Sequence, residues 1–236
     1  MILEKNNFPN FEEAKQELNE IMDSESADNI IEIANYFQLC QAATNAVGAR
    51  LENLDTDYQI NSSHNPIHHM EERMKSMESL SGKMKRKNLE FTYDNLVNNI
   101  YDIGGLRVIT NYPEDVYTVA NALTSHPGIK ILKKRDYIAK PKKNGYRSLH
   151  IVLEVPVYLQ DGIRHTAPVE VQIRTIGMDL WASLEHKLKY KTNIPAEELE
   201  QYSQQLKENS DELNQVEMSM ESIFTKINQK SSLIHN

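Results

Sequence analysis

Apolar residues recur at three- and four-residue steps near both ends of the chain and at shorter steps between them. That division predicts long helices flanking a central sheet. Ile33, Phe37, Thr44, Val47, Leu51, Leu54 and Tyr58 mark the first long helix, with Asp28 as its expected cap. A shorter helix is expected from Phe11 to Met22. Asn61-Ser62-Ser63-His64-Asn65-Pro66 interrupts the pattern, and Pro66 suits the first turn of a further helix running to about Lys87. On that helix Met70, Met74, Met77 and Met84 form one stripe, expected to pack as core. Lys75, Ser79, Lys83 and Arg86 form a second stripe, on which like charges repel unless an anion relieves them. Gly82 costs that helix about 1 kcal/mol relative to alanine and marks a kink or a close approach.

After a short helix from Tyr93 to Ile100 the periodicity changes. Four strands are predicted: Ile103–Thr110, Ile129–Ile138, Ser148–Pro156 and Arg164–Thr175. Tyr112-Pro113-Glu114-Asp115 opens a helix that buries Val116, Val119, Ala120 and Leu123 and ends at His126-Pro127-Gly128. The turn at Gln160-Asp161-Gly162 is short enough to make the last two strands antiparallel neighbours. A helix from Ile176 to about Tyr190 carries Trp181. From Pro195 a final helix repeats Leu199, Tyr202, Leu206, Leu213, Val216, Met220, Ile223 and Ile227, with a polar gap at Asn209. Its apolar stripe must cover something, either the N-terminal helix or a second subunit. The fold class is α+β, divided as a helical extension over 1–62, a central domain over 63–192 and a C-terminal helix over 193–236.

Composition narrows the function classes. A net charge of −8 argues against nonspecific coating of nucleic acid. The single cysteine, Cys40, excludes an internal disulfide and a cysteine-based zinc site. No apolar run is long enough to span a bilayer, and Met1-Ile2-Leu3-Glu4-Lys5-Asn6 does not open a signal peptide, so a cytoplasmic protein is expected.

Against that acidic background the segment Lys130–His150 stands out. It holds eight cations (Lys130, Lys133, Lys134, Arg135, Lys140, Lys142, Lys143 and Arg147) and one acid, Asp136. Such a cluster suits phosphates, and Tyr146, after Asn144-Gly145, offers a ring to a purine. His150, four residues on, is placed to face the same ligand. Alternation along the last strand sets Glu170, Gln172 and Arg174 opposite Val169, Val171 and Ile173. Asp102 precedes the first strand, and Gly104-Gly105 after it suggests a bulge or room for a group close to the main chain. Two carboxylates at neighbouring strand ends suit a hard cation such as Mg²⁺. His64, His68 and His69 lack partners at metal spacing and are expected on the surface, and His186 is expected to support the cleft from its helix.

Four ordered motifs carry a family resemblance. They are Tyr101-Asp102-Ile103-Gly104-Gly105-Leu106-Arg107-Val108, Lys143-Asn144-Gly145-Tyr146-Arg147-Ser148-Leu149-His150, Val169-Glu170-Val171-Gln172-Ile173-Arg174-Thr175 and Trp181-Ala182-Ser183-Leu184-Glu185-His186-Lys187. In order and spacing they resemble the synthetase domain of RelA/SpoT-type alarmone enzymes, over roughly His64 to Lys191, and in particular the small alarmone synthetases. The resemblance implies a nucleotidyltransferase-like mixed β-sheet flanked by helices. It implies Mg²⁺-dependent transfer of the β,γ-pyrophosphate of ATP to the 3′-hydroxyl of GDP or GTP, giving ppGpp or pppGpp in the stringent response.

By position, the resemblance sets Arg73 and Arg107 about the adenine and Lys75, Ser79, Lys83 and Arg86 on the ATP phosphates. It sets Asp102 on Mg²⁺, and Glu170 as a second metal contact or as the base. Tyr146 would stack on guanine with Lys142, Asn144, His150 and Arg135 near the acceptor nucleotide. It further implies a homotetramer built through the terminal helices. No His-Asp pair of the hydrolase type precedes the motifs, so synthesis without alarmone hydrolysis is expected, with neither membrane nor nucleic acid as partner. The alternatives are a toxic relative that modifies tRNA 3′ ends or an adenosine nucleotide, and a non-catalytic guanine-nucleotide-binding module.

Overall fold

The computed structural model describes residues 24–189 and 196–234; the helix expected from Phe11 to Met22 lies outside the described residues. Among the described residues six helices and five strands follow in the order α1 (Ser24–Asn61), β1 (Ile67–Met74), α2 (Met77–Arg86), α3 (Tyr93–Asn99), β2 (Gly104–Thr110), α4 (Pro113–Thr124), β3 (Lys130–Asp136), β4 (Leu149–Tyr158), β5 (Arg164–Thr175), α5 (Ile176–Lys189) and α6 (Ala196–Ile234). The strands form one mixed sheet in the order β1-β2-β5-β4-β3. β2 and β5 run parallel, and every other pair is antiparallel. Among the described residues no helix is long and apolar enough to cross a membrane.

One face of the sheet is apolar. Leu106 and Val108 of β2, Val169, Val171 and Ile173 of β5, and Leu149, Ile151 and Leu153 of β4 are buried there in a single core with α1 and α4. Of the stripe its periodicity predicts, Ile33, Thr44, Val47 and Leu51 of α1 are buried and Phe37, Leu54 and Tyr58 half-buried, while Cys40 and Ala43 join the core without having been part of it. Asp28 lies inside this helix, which begins at Ser24, and is not its cap. α4 buries Val116, Val119, Ala120 and Leu123 as expected.

The largest departure from the sequence reading is at residues 66–87. The expected helix is a strand, a short turn and then α2. Ser76 caps α2, its Oγ accepting from the Ser79 N–H at 3.2 Å. Met70 and Met74 therefore belong to β1, paired with Val108 and Gly104, while only Met84 of the stripe is fully enclosed. The run His68-His69-Met70-Glu71-Glu72-Arg73 lacks the β-branched residues that announce a strand, and pairing with β2 overrides its helical periodicity.

β2 shows no bulge. Gly104 is required by α1: a β-carbon there would collide with Thr44 Oγ1 and lie 3.2 Å from the Cys40 carbonyl oxygen. The group approaching the main chain at Gly104 is thus a helix, and only Gly105 faces the open side.

Among the described residues α6 packs on α5, the segment before β4 and the start of α4 rather than along α1. Its inward row is Leu206, Ser210, Leu213, Glu217 and Phe224, whereas Val216, Met220, Ile223 and Ile227 of the expected stripe are exposed. The side chain of Leu199 lies outside the described residues. Two carboxylates one turn apart cap two other helices. Glu217 accepts from Gly177 N (2.8 Å) and Thr175 Oγ1 (2.7 Å) at the start of α5, and Glu221 accepts from Glu114 N (2.9 Å) at the start of α4. His64 is not a free surface residue: its Nε2 lies 2.9 Å from Asp115, and its ring packs 4.6 Å from that of Phe224.

Gly104→Ala is expected to lower unfolding stability by about 1–3 kcal/mol through overpacking against α1. Gly105→Ala, whose β-carbon would meet Glu170 O at 3.4 Å, is expected to cost much less. Urea unfolding of the two variants side by side checks this, and equal losses would exclude close approach of α1 as the reason for Gly104.

Candidate functional site

The polar face of the sheet is the other product of strand alternation. Cross-strand pairing sets Glu71 opposite Arg107 and Arg73 opposite Gly105, then Gly105 opposite Glu170 and Arg107 opposite Gln172. Gln172 in turn faces His150, and His150 faces Arg135. Residues from all five strands thus share one surface.

A cavity of about 350 Å³ opens on it, lined by Glu71, Arg73, Lys75, Asp102, Arg107 and Glu170 among others. Asp102 and Glu170 therefore stand on the same side of the sheet. Lys75, in the turn after β1, reaches Asp102 Oδ2 at 3.2 Å, and Lys83 of α2 reaches Oδ1 at 2.6 Å. Ser79 sits in the first turn of α2, where the positive end of the helix adds to the two ammonium groups. Arg86 is exposed in the last turn, its guanidinium close to Gly82.

Glu170 is held on both oxygens. His150 Nδ1 lies 3.3 Å from Oε1, and Gln172 Nε2 donates to Oε2 at 2.8 Å. Arg174 Nη2 donates to Gln172 Oε1 at 2.7 Å, so the polar edge of β5 is a relay of side chains two residues apart. Burial alone would push the Glu170 carboxyl up. The hydrogen bonds from His150 and Gln172, with positive charge at His150 and Lys83, outweigh it and bring the group down to about 2.

Tyr146 Oη lies 2.8 Å from His150 Nε2, and burial pushes the phenol up, so it stays protonated. With His150 Nδ1 facing Glu170, the three groups form a phenol–imidazole–carboxylate chain.

The segment before β4 is more built than a solvated basic loop. The Lys142 ammonium lies 4.7 Å from the Tyr137 ring centre and 4.5 Å from that of Tyr146. Arg135 Nη1 donates to Tyr137 Oη at 3.3 Å. Asn144 is anchored through Nδ2 to Glu185 Oε1 at 3.0 Å, one residue before the exposed His186. Asp179 of α5 lies 3.3 Å from Arg174 and 3.7 Å from Arg107, and Arg107 also meets Glu71 at 3.0 Å.

Asp102, Glu170, Arg73, Lys75 and Arg107 share the cavity, Lys83 joins them through Asp102, and Tyr146, Lys142, Asn144 and Arg135 cluster about His150. Glu71, Tyr137, Asp179 and Glu185 were not singled out by the sequence. Glu71 was hidden because its strand has helical periodicity; Glu185 lies inside the fourth motif with no role given to it, and Tyr137 and Asp179 carry no signal except proximity to a motif.

Residues 72–195 match the family model described as a region found in RelA/SpoT proteins. The chain is 44% identical over 151 residues to the GTP pyrophosphokinase YwaC of Bacillus subtilis, covering 64% of this chain and 71% of that protein. Its structure is similar to that of small alarmone synthetase 2 from Bacillus subtilis, with a TM-score of 0.71 and 37% identity over 82% of this chain and 99% of the other. It is also similar to small alarmone synthetase 1 from Bacillus subtilis bound to its product pppGpp, with a TM-score of 0.72 and 28% identity over 82% of this chain and 97% of the other.

Because its pKa lies below the unfolded value, Glu170 contributes stability that is fully present above the ordinary carboxylate range and is lost as pH falls through about 2. His150→Ala removes one hydrogen bond while leaving the burial, so the Glu170 pKa should rise toward or past its ordinary value. Carboxyl ¹³C NMR titration reads this, and an unmoved Glu170 resonance would exclude the His150 contact as a cause.

Proposed function

The chain belongs to the RelA/SpoT family, and on that premise we propose that it is a (p)ppGpp synthetase, transferring the β,γ-pyrophosphate of ATP to the 3′-hydroxyl of GDP or GTP. The observation that carries this reading is the convergence on one cavity of Asp102, Glu170, Arg73, Lys75 and Arg107, with the Tyr146–His150 pair beside it through Glu170. The 3′-oxygen attacks the β-phosphorus, the bond to the α,β-bridging oxygen breaks, and AMP leaves. Such a transfer needs alignment and charge neutralisation more than covalent chemistry.

Donor phosphates are assigned to Lys75, Ser79, Lys83 and Arg86. The support for this is the cationic patch that the first turn of α2 makes with Lys75 and Lys83. Arg73 and Arg107, diagonal neighbours on one face of β1 and β2, are assigned to the adenine. Tyr146 is assigned to the guanine of the acceptor, with Arg135, Lys142, Asn144 and His150 about it.

Asp102 and Glu170 fit a hard divalent cation such as Mg²⁺. Both are carboxylates lining the cavity, and Asp102 is already a charge centre matched by two ammonium groups. Among the described residues no cluster of three or more His, Cys, Asp or Glu forms a metal cage, so most of the shell falls to phosphate and water, the usual arrangement for Mg²⁺. When bound, such an ion supplies charge neutralisation to the phosphates. A carboxyl held near 2 is a weak base at neutral pH and a lasting anion, which favours the metal and electrostatic role for Glu170 over proton abstraction.

Self-association, as a tetramer by family resemblance, is part of the same proposal. It is supported by the exposed rows Val216, Met220 and Ile223 on α6 and Ile176, Leu180 and Leu184 on α5. Light scattering that gives a monomer at micromolar concentration would remove it.

Incubation with ATP, Mg²⁺ and GDP or GTP, followed by anion-exchange chromatography, is expected to yield ppGpp or pppGpp and AMP. Asp102→Asn and Glu170→Gln should each cut turnover at least about a hundredfold with the fold, read by circular dichroism, retained. Tyr146→Ala should weaken GDP or GTP by about 1–3 kcal/mol with little change for ATP. No product from the unaltered protein would defeat the reading.

A further inference from the structure

The segment between β3 and β4 folds on itself through Gly145 N to Lys142 O (2.8 Å) and Lys142 N to Tyr146 O (3.2 Å). Its outer side is held by α6. Gly145 has φ +92°, and a β-carbon there would lie 2.8 Å from Lys207 Cα and 2.9 Å from Ser210 Cβ, so the helix backbone rests directly on the loop. Ser210, 5% exposed on a largely polar helix, donates from Oγ to Gly145 O at 2.6 Å. Asp211 Oδ1, one residue on, accepts from Arg147 Nη2 at 2.7 Å, and Arg147 Nη1 reaches back to Ile138 O at 3.2 Å. Trp181 Nε1 donates to Leu206 O at 2.8 Å and fixes α6 one turn earlier.

These contacts are selective. A helix that only sealed the core would do so with apolar side chains, yet its stripe breaks at Asn209, beside Ser210 and Asp211. The two bonds fall on residues 145 and 147, which flank Tyr146. We infer that Ser210 and Asp211 are positioning residues for the acceptor nucleotide, clamping the loop on both sides of Tyr146 and so setting the height of its ring above the site. The His150 hydrogen bond holds the same ring from its hydroxyl end, which leaves little freedom once both clamps are made. Among the described residues, Gly145, Arg147, Ser210 and Asp211 do not line the cavity that holds Arg73, Lys75 and Asp102, so the effect of the clamp should fall on one substrate and spare the other.

The inference rests on the assignment of the Tyr146 loop to the guanine nucleotide. Ser210→Ala and Asp211→Asn, made singly, test it; the second conserves shape at a half-exposed position and is compatible with folding. Each is expected to raise KM for GDP and GTP about three- to tenfold, through the loss of one hydrogen bond in Ser210→Ala and of the charge that strengthens one in Asp211→Asn, while KM for ATP and the circular dichroism spectrum stay unchanged. KM values that rise together, or that move in neither variant, would overturn the clamp. If the unaltered protein makes no alarmone, the functional reading fails separately. Equilibrium dialysis of labelled GDP against the same three proteins then decides the clamp, which weaker binding in the variants supports and equal binding, or none, overturns.

Discussion

The parallel pairing of β2 with β5, in the register that sets Gly105 opposite Glu170, is the constraint on which the molecule turns. A slip of one residue would carry Glu170, Gln172 and Arg174 into the core and bring Val169 and Val171 to the open side. Burial of Val108, Val171 and Ile173 against α1 and α4 forbids that slip, so the apolar core fixes where the charges stand. Gly104 adds to the same constraint, because α1 packs at its distance only where the strand has no side chain.

Once that register is set, the site is governed by balance among unlike charges in a partly desolvated place. Asp102 is shared by two lysines and Glu170 by an imidazole and an amide. Arg107 and Arg174 share Asp179. Glu170 thus keeps its charge despite burial, and each cation is near its place before any polyanion arrives, which lowers the reorganisation cost of binding one.

Much of this was legible in the chain because period-two alternation and short turns speak directly of strands. β5 keeps its expected boundaries, and α4 buries the four residues its spacing named. The strand at His68–Arg73 was not legible. Its apolar positions fall three and four apart, and its reason for being extended is the edge of β2, a partner distant in sequence. The stripe of the last helix was visible but its use was not: Ser210, Glu217 and Glu221 dock through hydrogen bonds to loop and helix ends, and polar contacts leave no periodic trace. Asp179 and Glu185 were missed for the same reason.

Trp181 is the sole tryptophan of the chain and is 5% exposed. Its ring centre lies 6.3 Å from that of Tyr146, and its indole N–H is spent on Leu206 of the last helix. The protein therefore carries one indole, separable by its longer excitation wavelength from the 11 tyrosines and seated where α5, α6 and the tyrosine loop meet. A lifting of the last helix would wet the indole and redden its emission, so the state of that junction can be followed optically in the unlabelled chain.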